Sequence, residues 1–123
     1  MTDHDRPEQR RAHFRLFYPE SERPVMDANG QQHRVVEIAE GGIRIVVNRG
    51  ESMQLGDAFG GDICFHDDGV ERVAGEVYRL DEVLAVIKLA NGLSLHRVML
   101  EQAYIKKKYP MFIANRQRGK PRG

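Results

Sequence analysis

Three arginines near the start of the chain are the first residues whose type and spacing suit ligand chemistry: Arg10, Arg11 and Arg15. Arginine stays charged at any working pH and presents five donors in a planar fork, so closely spaced arginines can bind phosphates or guanine edges in a bidentate manner. The alternative is a solvated N-terminal arm, because charge runs near chain ends are usually solvated. The cluster indicates an anion site only together with a second signal.

A pair of glycines, Gly41 and Gly42, provides the second signal, because it separates two alternating apolar runs between residues 35 and 45. Such runs predict two β-strands joined by a turn. Glycine at the turn indicates either a backbone position with positive φ or the close approach of a ligand. Both alternatives are compatible with a binding site at this turn.

The two stretches together resemble the PilZ family of bacterial cyclic di-GMP receptors. The pattern of that family is an R-x-x-x-R arm followed by (D/N)-x-S-x-x-G at a strand turn. Arg11 and Arg15 match the first motif, and Arg10 is the additional arginine that often precedes it. Gly42 matches the last position of the second motif.

Glu37 and Ala39 are the two positions at which this chain departs from the second motif. The resemblance implies that an acidic or amide side chain and a serine help to hold a guanine there. This chain offers a longer carboxylate and no hydroxyl. Either the site binds the nucleotide with fewer contacts, or Tyr78, Arg44 or a second nucleotide supplies the missing ones.

Tyr78 stands in a predicted strand whose counterpart in some PilZ domains carries an aromatic residue near the nucleotide. Stacking of a base on such a ring contributes about 1–3 kcal/mol when it occurs. The alternative is a tyrosine on the barrel surface, since aromatic residues favour strands whether or not they contact a ligand. Both interpretations stay open at this point.

The composition fits one globular domain, because 123 residues with 41% hydrophobic side chains can bury a modest single core. The net charge of +1 conceals an asymmetry. Residues 16–100 carry 8 Lys or Arg against 14 Asp or Glu, a balance of −6, whereas residues 101–123 carry 7 against 1, a balance of +6. A basic end of this kind also allows a nucleic-acid-binding tail.

Cys64 is the single cysteine, so the chain cannot form an internal disulfide. Its position between Ile63 and Phe65 predicts an inert buried thiol. The sequence contains no apolar run long enough to span a bilayer and no signal-peptide pattern. These features predict a cytoplasmic location without a membrane span.

Short alternating segments separated by turn residues predict an all-β fold. The predicted strands are 16–18 continued by 25–26, 33–38, 43–47, 63–65, 70–80 and 83–89. Asn29-Gly30 and Asp67-Asp68-Gly69 predict tight hairpins. About six short antiparallel strands are typical of a small barrel or sandwich, and the resemblance implies a six-stranded antiparallel PilZ-like β-barrel.

A C-terminal helix over residues 95–109 is predicted from an N-cap at Ser94 and a stop at Pro110. Lys106, Lys107 and Lys108 fall in its last turn, where cations complement the helix dipole. The side chains predicted to share its apolar face are Leu95, Val98, Met99 and Ala103.

The helix also resembles the end of many PilZ domains, so the likeness covers roughly residues 8–110. The predicted organisation is a flexible segment over 1–9, a PilZ-like domain over 10–110 and a basic disordered tail over 111–123.

No catalytic or metal site is predicted. The five histidines lack the paired spacing of a metal site, and Asp57, Asp62, Asp67 and Asp68 are interpreted as turn formers without a nucleophile beside them. The prediction is a non-enzymatic protein without cofactor or metal.

The resemblance implies a cytoplasmic receptor or adaptor in which the arginine arm closes over the barrel on cyclic di-GMP and alters a surface for an unknown protein effector. The predicted ligand-binding residues are Arg10, Arg11, Arg15, Glu37, Ala39, Gly41, Gly42 and Tyr78. One alternative is a PilZ-type adaptor that does not bind the nucleotide. Another is a nucleic-acid-binding module that uses the C-terminal tail.

Overall fold

The computed structural model describes residues 15–112. The predicted flexible segment 1–9, Arg10, Arg11 and residues 113–123 of the predicted tail lie outside the described residues.

Seven antiparallel strands, a turn of 3-10 helix and one long helix make up most of the described part of the chain, and residues 110–112 are also helical. The elements are β1 (Leu16–Phe17), β2 (Val25–Ala28), β3 (Gln31–Ala39), β4 (Gly42–Val46), β5 (Ala58–Cys64), β6 (Val70–Leu80), β7 (Leu84–Asn91) and α1 (Leu95–Lys108). Strands β2 to β7 close into a barrel in the order β3-β2-β5-β6-β7-β4, with β4 returning to β3. The predicted six-stranded barrel with a C-terminal helix is confirmed.

Strand β1 is a short extension of the barrel wall that positions the end of the arginine arm. Its two residues pair with β3, Leu16 opposite Ile38 and Phe17 opposite Glu37. Strand β2 pairs with the earlier half of β3, so β1 and β2 lie one after the other along the same edge of β3. A single turn of 3-10 helix at Glu20–Glu22 separates them. The expected continuation of the first strand beyond a proline-rich break is therefore present.

The β2–β3 turn has the geometry that its Asn-Gly sequence predicts. Asn29 and Gly30 have φ values of 53° and 78°, as a two-residue hairpin with the twist of its flanking strands requires. Gly41 and Gly42 differ, because neither has a positive φ. A Cβ on Gly42 would lie 3.2 Å from the carbonyl oxygen of Ile87, so the small residue there accommodates the neighbouring strand β7. Of the two alternatives for this pair, the positive φ is therefore excluded.

Side chains alternate between the barrel interior and its outer surface. Ile63 is fully buried on β5, and its neighbour Cys64 is exposed. The prediction of a buried thiol is wrong, because the apolar residues on either side of Cys64 point inward while the strand turns Cys64 itself outward. The core is filled mainly by β-branched residues and by the inner face of α1.

The helix begins where the sequence predicts, because the Ser94 side chain accepts a hydrogen bond from the backbone N–H of Arg97 at 3.0 Å. Its buried face contains Arg97, Val98, Glu101 and Ile105. The predicted apolar face is wrong at three of four positions, since Leu95, Met99 and Ala103 are exposed. A pattern of apolar residues cannot reveal a helix face that buries an ion pair.

Candidate functional site

Arg15 and Glu37 bring the two sequence motifs into direct contact. The pairing of β1 with β3 places Glu37 beside the end of the arm, and Arg15 Nε donates a 2.8 Å hydrogen bond to Glu37 Oε2. Only 7% of the Glu37 side chain is exposed, compared with 52% of Arg15. The carboxylate is therefore fixed in the barrel wall, while part of the guanidinium fork stays accessible.

Arg44 approaches the same carboxylate from the opposite side. It is the register partner of Glu37 across the β3–β4 hairpin, and its Nε lies 3.6 Å from Glu37 Oε1. Its guanidinium also lies 6.0 Å from the centre of the Phe17 ring. Glu37 thus stands between two arginines, each facing one of its carboxylate oxygens. Alternation in β4 predicts the outward position of Arg44, since Ile43 and Ile45 on either side are buried.

The turn between β3 and β4 is held by backbone contacts with β7. Ala39 pairs with Gly42, and the Gly41 carbonyl accepts a 2.9 Å hydrogen bond from the Leu89 N–H. Gly92 packs so closely on the carbonyl of Glu40 that a Cβ there would clash with it. The second motif therefore lies on a fixed turn, and Ala39 offers no side-chain donor to it.

Tyr78 lies on the outer surface of β6 with 54% of its surface exposed. The ammonium of Lys88 stands 5.5 Å from the ring centre, and the Arg79 guanidinium stands 5.8 Å from it. Lys88 is also the register partner of Gly42. It was not among the predicted site residues, although its outward position follows from the buried residues on both sides of it, Ile87 and Leu89.

The predicted site residues in the described part therefore form two groups. Arg15, Glu37, Ala39, Gly41 and Gly42 lie together around the β3–β4 turn. Tyr78 stands apart, because β7 and β4 separate its strand from β3. Lys88 connects the two groups through its pairing with Gly42 and its contact with Tyr78.

Four cations, Arg15, Arg44, Arg79 and Lys88, stand on the outer surface of these strands. The carboxylates of Glu37 and Glu76 stand among them, and Glu76 is the register partner of Lys88. Asp81 is at one end of this surface, and hydrogen bonds from the backbone N–H groups of Leu84 and Val83 lower its pKa, with a smaller contribution from Arg44. The arrangement is suited to binding an anion.

A second polar cluster lies under the helix and centres on Glu101, of which 1% is exposed. Tyr18 Oη donates to its Oε1 at 2.7 Å, and Arg97 Nη1 donates to its Oε2 at 3.1 Å. His66 Nδ1 lies 2.9 Å from the same Oε2. Burial raises the pKa of the Tyr18 phenol far above its usual range, and the adjacent Glu101 charge raises it further. This cluster fastens α1 to the barrel.

Arg97 extends this cluster to the β5–β6 hairpin. Its Nη1 donates to both carboxylate oxygens of Asp67, and its guanidinium lies 4.5 Å from the centre of the Phe65 ring. Burial is the largest single effect and opposes the charged guanidinium, but the hydrogen bonds and charges of Asp67 and Glu101 together outweigh it, so the pKa of Arg97 is raised. A backbone hydrogen bond from Gly69, with Arg97 adding to it, lowers the pKa of Asp67.

Among residues 15–112, no group of three or more His, Cys, Asp or Glu side chains is placed to hold a metal ion. Within the same residues, no helix is both long enough and apolar enough to cross a bilayer.

Comparison with known proteins gives a family and a fold. No curated protein matches the chain. Among solved structures, an inhibitor of motility from Bacillus subtilis (MotI/DgrA) is similar, with a TM-score of 0.53 and 17% sequence identity over 76% of this chain and 49% of that one. The chain thus spans about half the length of that protein, and the likeness concerns the fold. The family model described as PilZ domain matches residues 9–105, which is most of the sequence, and the chain belongs to the PilZ domain family.

Proposed function

We propose that this protein is a non-enzymatic receptor for cyclic di-GMP. In this proposal the arm that carries Arg10, Arg11 and Arg15 closes over the β3–β4 turn on the nucleotide. Closure then alters a surface that a protein partner binds. Membership of the PilZ family supports the ligand class.

The contact between Arg15 and Glu37 is the observation that carries the proposal. The two residues occupy separate motifs, yet a 2.8 Å hydrogen bond joins them on the outer barrel surface. The arm therefore enters the described fold beside the turn that carries Gly41 and Gly42. A ligand that contacts both motifs would bind at this junction.

The charges around the junction suit a doubly anionic ligand. Arg15 directly precedes β1, Arg44 lies on β4 and Lys88 lies on the adjacent β7, and Arg15 is half exposed. Each charge-assisted hydrogen bond to a phosphate contributes roughly 1.5–3 kcal/mol. In the proposed mechanism the nucleotide competes with Glu37 for the two arginines, so binding releases one contact as it forms others.

Calorimetric titration of the full chain with cyclic di-GMP tests the proposal. We expect saturable binding, and we expect Arg15→Ala to weaken it tenfold or more because one charge-assisted contact of roughly 1.5–3 kcal/mol is lost. Arg11→Ala should act in the same direction. The free energy of unfolding of Arg15→Ala should change by no more than about 1 kcal/mol, since Arg15 is half exposed and Arg44 still faces the buried Glu37.

Arg72→Ala is the matched control, because Arg72 is an arginine on the same barrel that pairs with Asp62 and is 77% exposed. Its removal changes the net charge equally and should leave the affinity unchanged. Equal affinity of the parent and Arg15→Ala would reject the assigned site.

A second candidate function is a PilZ-type adaptor that does not bind the nucleotide. The observation in its favour is that Glu37 occupies both neighbouring arginines with its own oxygens, while Ala39 provides no hydroxyl. An absence of binding in the parent, even at high nucleotide concentration, would favour this candidate over the receptor.

A further inference from the structure

The outward side of α1 carries an apolar strip that the barrel does not cover. Leu95, Met99 and Leu100 are 42%, 48% and 40% exposed, and Ala103 is exposed beside them. Sequence patterning assigned three of these side chains to the interior together with Val98, but only Val98 of that predicted set is buried, alongside Arg97, Glu101 and Ile105. An exposed group of large aliphatic side chains on one helix face marks an interaction surface.

This apolar strip ends in a pair of cations. Residues 95, 99 and 103 follow one another at one-turn spacing over about 12 Å, and Lys106 and Lys107 continue the same side one turn further. Lys108 differs from them, because it pairs with Glu22 at 3.0 Å. Within the described residues, Lys106 and Lys107 have no ion pair.

Negative charge is missing from the exposed side of the helix. Glu101 is the only acidic residue of α1, and it is buried against the barrel. The nearest acids at the other end of the strip are Asp67 and Glu71, which already bind Arg97 and Ser94. Within the described residues these acids are all engaged, so carboxylates on a partner would complement Lys106 and Lys107.

We propose that the outward side of α1 docks an amphipathic helix of a protein partner. The apolar face of that helix would cover Leu95, Met99 and Leu100, and carboxylates at one of its ends would pair with Lys106 and Lys107. This inference supplies the partner surface of the proposed receptor or adaptor and does not depend on nucleotide binding.

Two other occupants fit the charges less well. A second copy of this chain would bring the same two lysines, and its acids near the strip are already bound. A helix that lies on a membrane surface carries its cations along a polar face opposite a broad apolar face. Here the two cations stand at one end, and the exposed His96 interrupts the apolar side chains of the strip.

The underside of α1 makes the docking surface rigid before binding. Val98 and Ile105 are buried, and Glu101 receives hydrogen bonds from Tyr18 and Arg97. A helix fixed in this way loses little conformational freedom when a partner binds. Most of the conformational entropy lost on binding is then lost by the partner.

The test uses three synthetic helical peptides that share one Leu-rich face and carry Glu, Gln or Lys at the end facing the lysine pair. Titration of the isotope-labelled full chain, without nucleotide, is followed by NMR and fluorescence anisotropy. We expect the Glu peptide to bind at least tenfold more tightly than the Gln peptide, and the Lys peptide to bind most weakly. The NMR chemical-shift changes should concentrate at residues 95–107.

Variants complete the test. Met99→Glu should weaken binding of the Glu peptide at least tenfold. The double variant Lys106→Glu with Lys107→Glu should bind the Lys peptide more tightly than the Glu peptide. Leu55→Glu is the matched control, because Leu55 is 65% exposed outside the helix. Circular dichroism melts verify that each variant is folded.

Four outcomes would overturn the proposal. They are no binding of the Glu peptide up to millimolar concentration, equal binding of all three peptides, self-association through residues 95–107 without peptide, and preferential binding to vesicles of anionic phospholipid. A failed titration with cyclic di-GMP would not bear on the proposed docking surface, because none of these peptide experiments contains the nucleotide.

Discussion

Glu37 is the residue at which the binding motif and the barrel make competing demands. It stands at the first position of the second motif, and its carboxylate holds Arg15 and faces Arg44 in the barrel wall. A glutamate reaches both arginines because of its extra methylene, and a shorter side chain at this position would free them for a ligand. Affinity should therefore depend on the length of this one side chain.

The double change Glu37→Asp with Ala39→Ser should strengthen binding of cyclic di-GMP. Aspartate loosens the grip on Arg15, and the serine hydroxyl adds a hydrogen bond of on the order of 1 kcal/mol. Together we expect a gain of about five- to thirty-fold in affinity, measured by calorimetry at fixed salt. The two single variants separate the contributions, and equal or weaker binding by the double variant would contradict this account.

At the scale of elements, Gly92 fixes the turn that carries the second motif. A Cβ at this position would clash with the backbone carbonyl of Glu40. We expect Gly92→Ala to destabilise the fold by about 1–3 kcal/mol in urea unfolding, because two backbones would have to separate. If the affinity for cyclic di-GMP falls as well, the turn geometry matters for the ligand.

Gly41→Ala is the matched control for this prediction. A Cβ on Gly41 meets nothing within 4 Å, and its φ is not positive. The free energy of unfolding should stay within about 0.5 kcal/mol of the parent or rise slightly. A large loss of stability in Gly41→Ala would show that the turn requires glycine for a reason other than the Cβ clash expected at Gly92.

The elements were predicted well where local chemistry decides them. Asn29-Gly30 and Ser94 fix a turn and a helix start through their own backbone and side-chain geometry. Prediction failed where the outcome depends on distant partners. Glu101 is buried because Tyr18, Arg97 and His66 surround it, and no pattern within the helix reveals them.

The site followed the same rule. The family resemblance predicted that the arginine arm lies near Gly42, and in the structure Arg15 contacts Glu37 on the strand that leads into the turn at Gly41 and Gly42. Lys88 was missed, because its place beside Gly42 depends on the pairing of β4 with β7. Strand register is a property of the closed barrel and not of either strand alone.

At the scale of the whole molecule, Glu22 connects the start of the barrel with the end of the helix. It accepts hydrogen bonds from Tyr109 at 2.7 Å and from Tyr104 at 3.0 Å, and it pairs with Lys108. The hydrogen bond from Tyr109 is the largest cause that lowers the pKa of Glu22 below its ordinary value of 4.5. Folding therefore stabilises the ionised carboxylate.

The pH dependence of stability follows from the lowered pKa of Glu22. A lowered pKa contributes stability that is present above pH 4.5 and is lost as the pH falls through the pKa of the folded state. In urea unfolding between pH 3 and 7, Glu22→Gln should lose stability at pH 7 and show a shallower decline in acid. Glu20→Gln, an exposed neighbour in the same turn, should follow the parent. Parallel pH curves for the parent and Glu22→Gln would contradict the assignment.

The hydrogen bond from Tyr18 to Glu101 spans 83 positions of sequence, and the one from Tyr109 to Glu22 spans 87. On the ribosome, the Tyr18 hydroxyl and the Glu22 carboxylate therefore lack these partners until nearly the whole domain has been synthesised, although β1 can pair with β3 much earlier. A nascent chain arrested before Leu95 would expose the Tyr18 hydroxyl and the barrel surface that α1 covers to solvent. We expect protease resistance of arrested chains to appear in one step, after the helix has left the exit tunnel, and not gradually strand by strand.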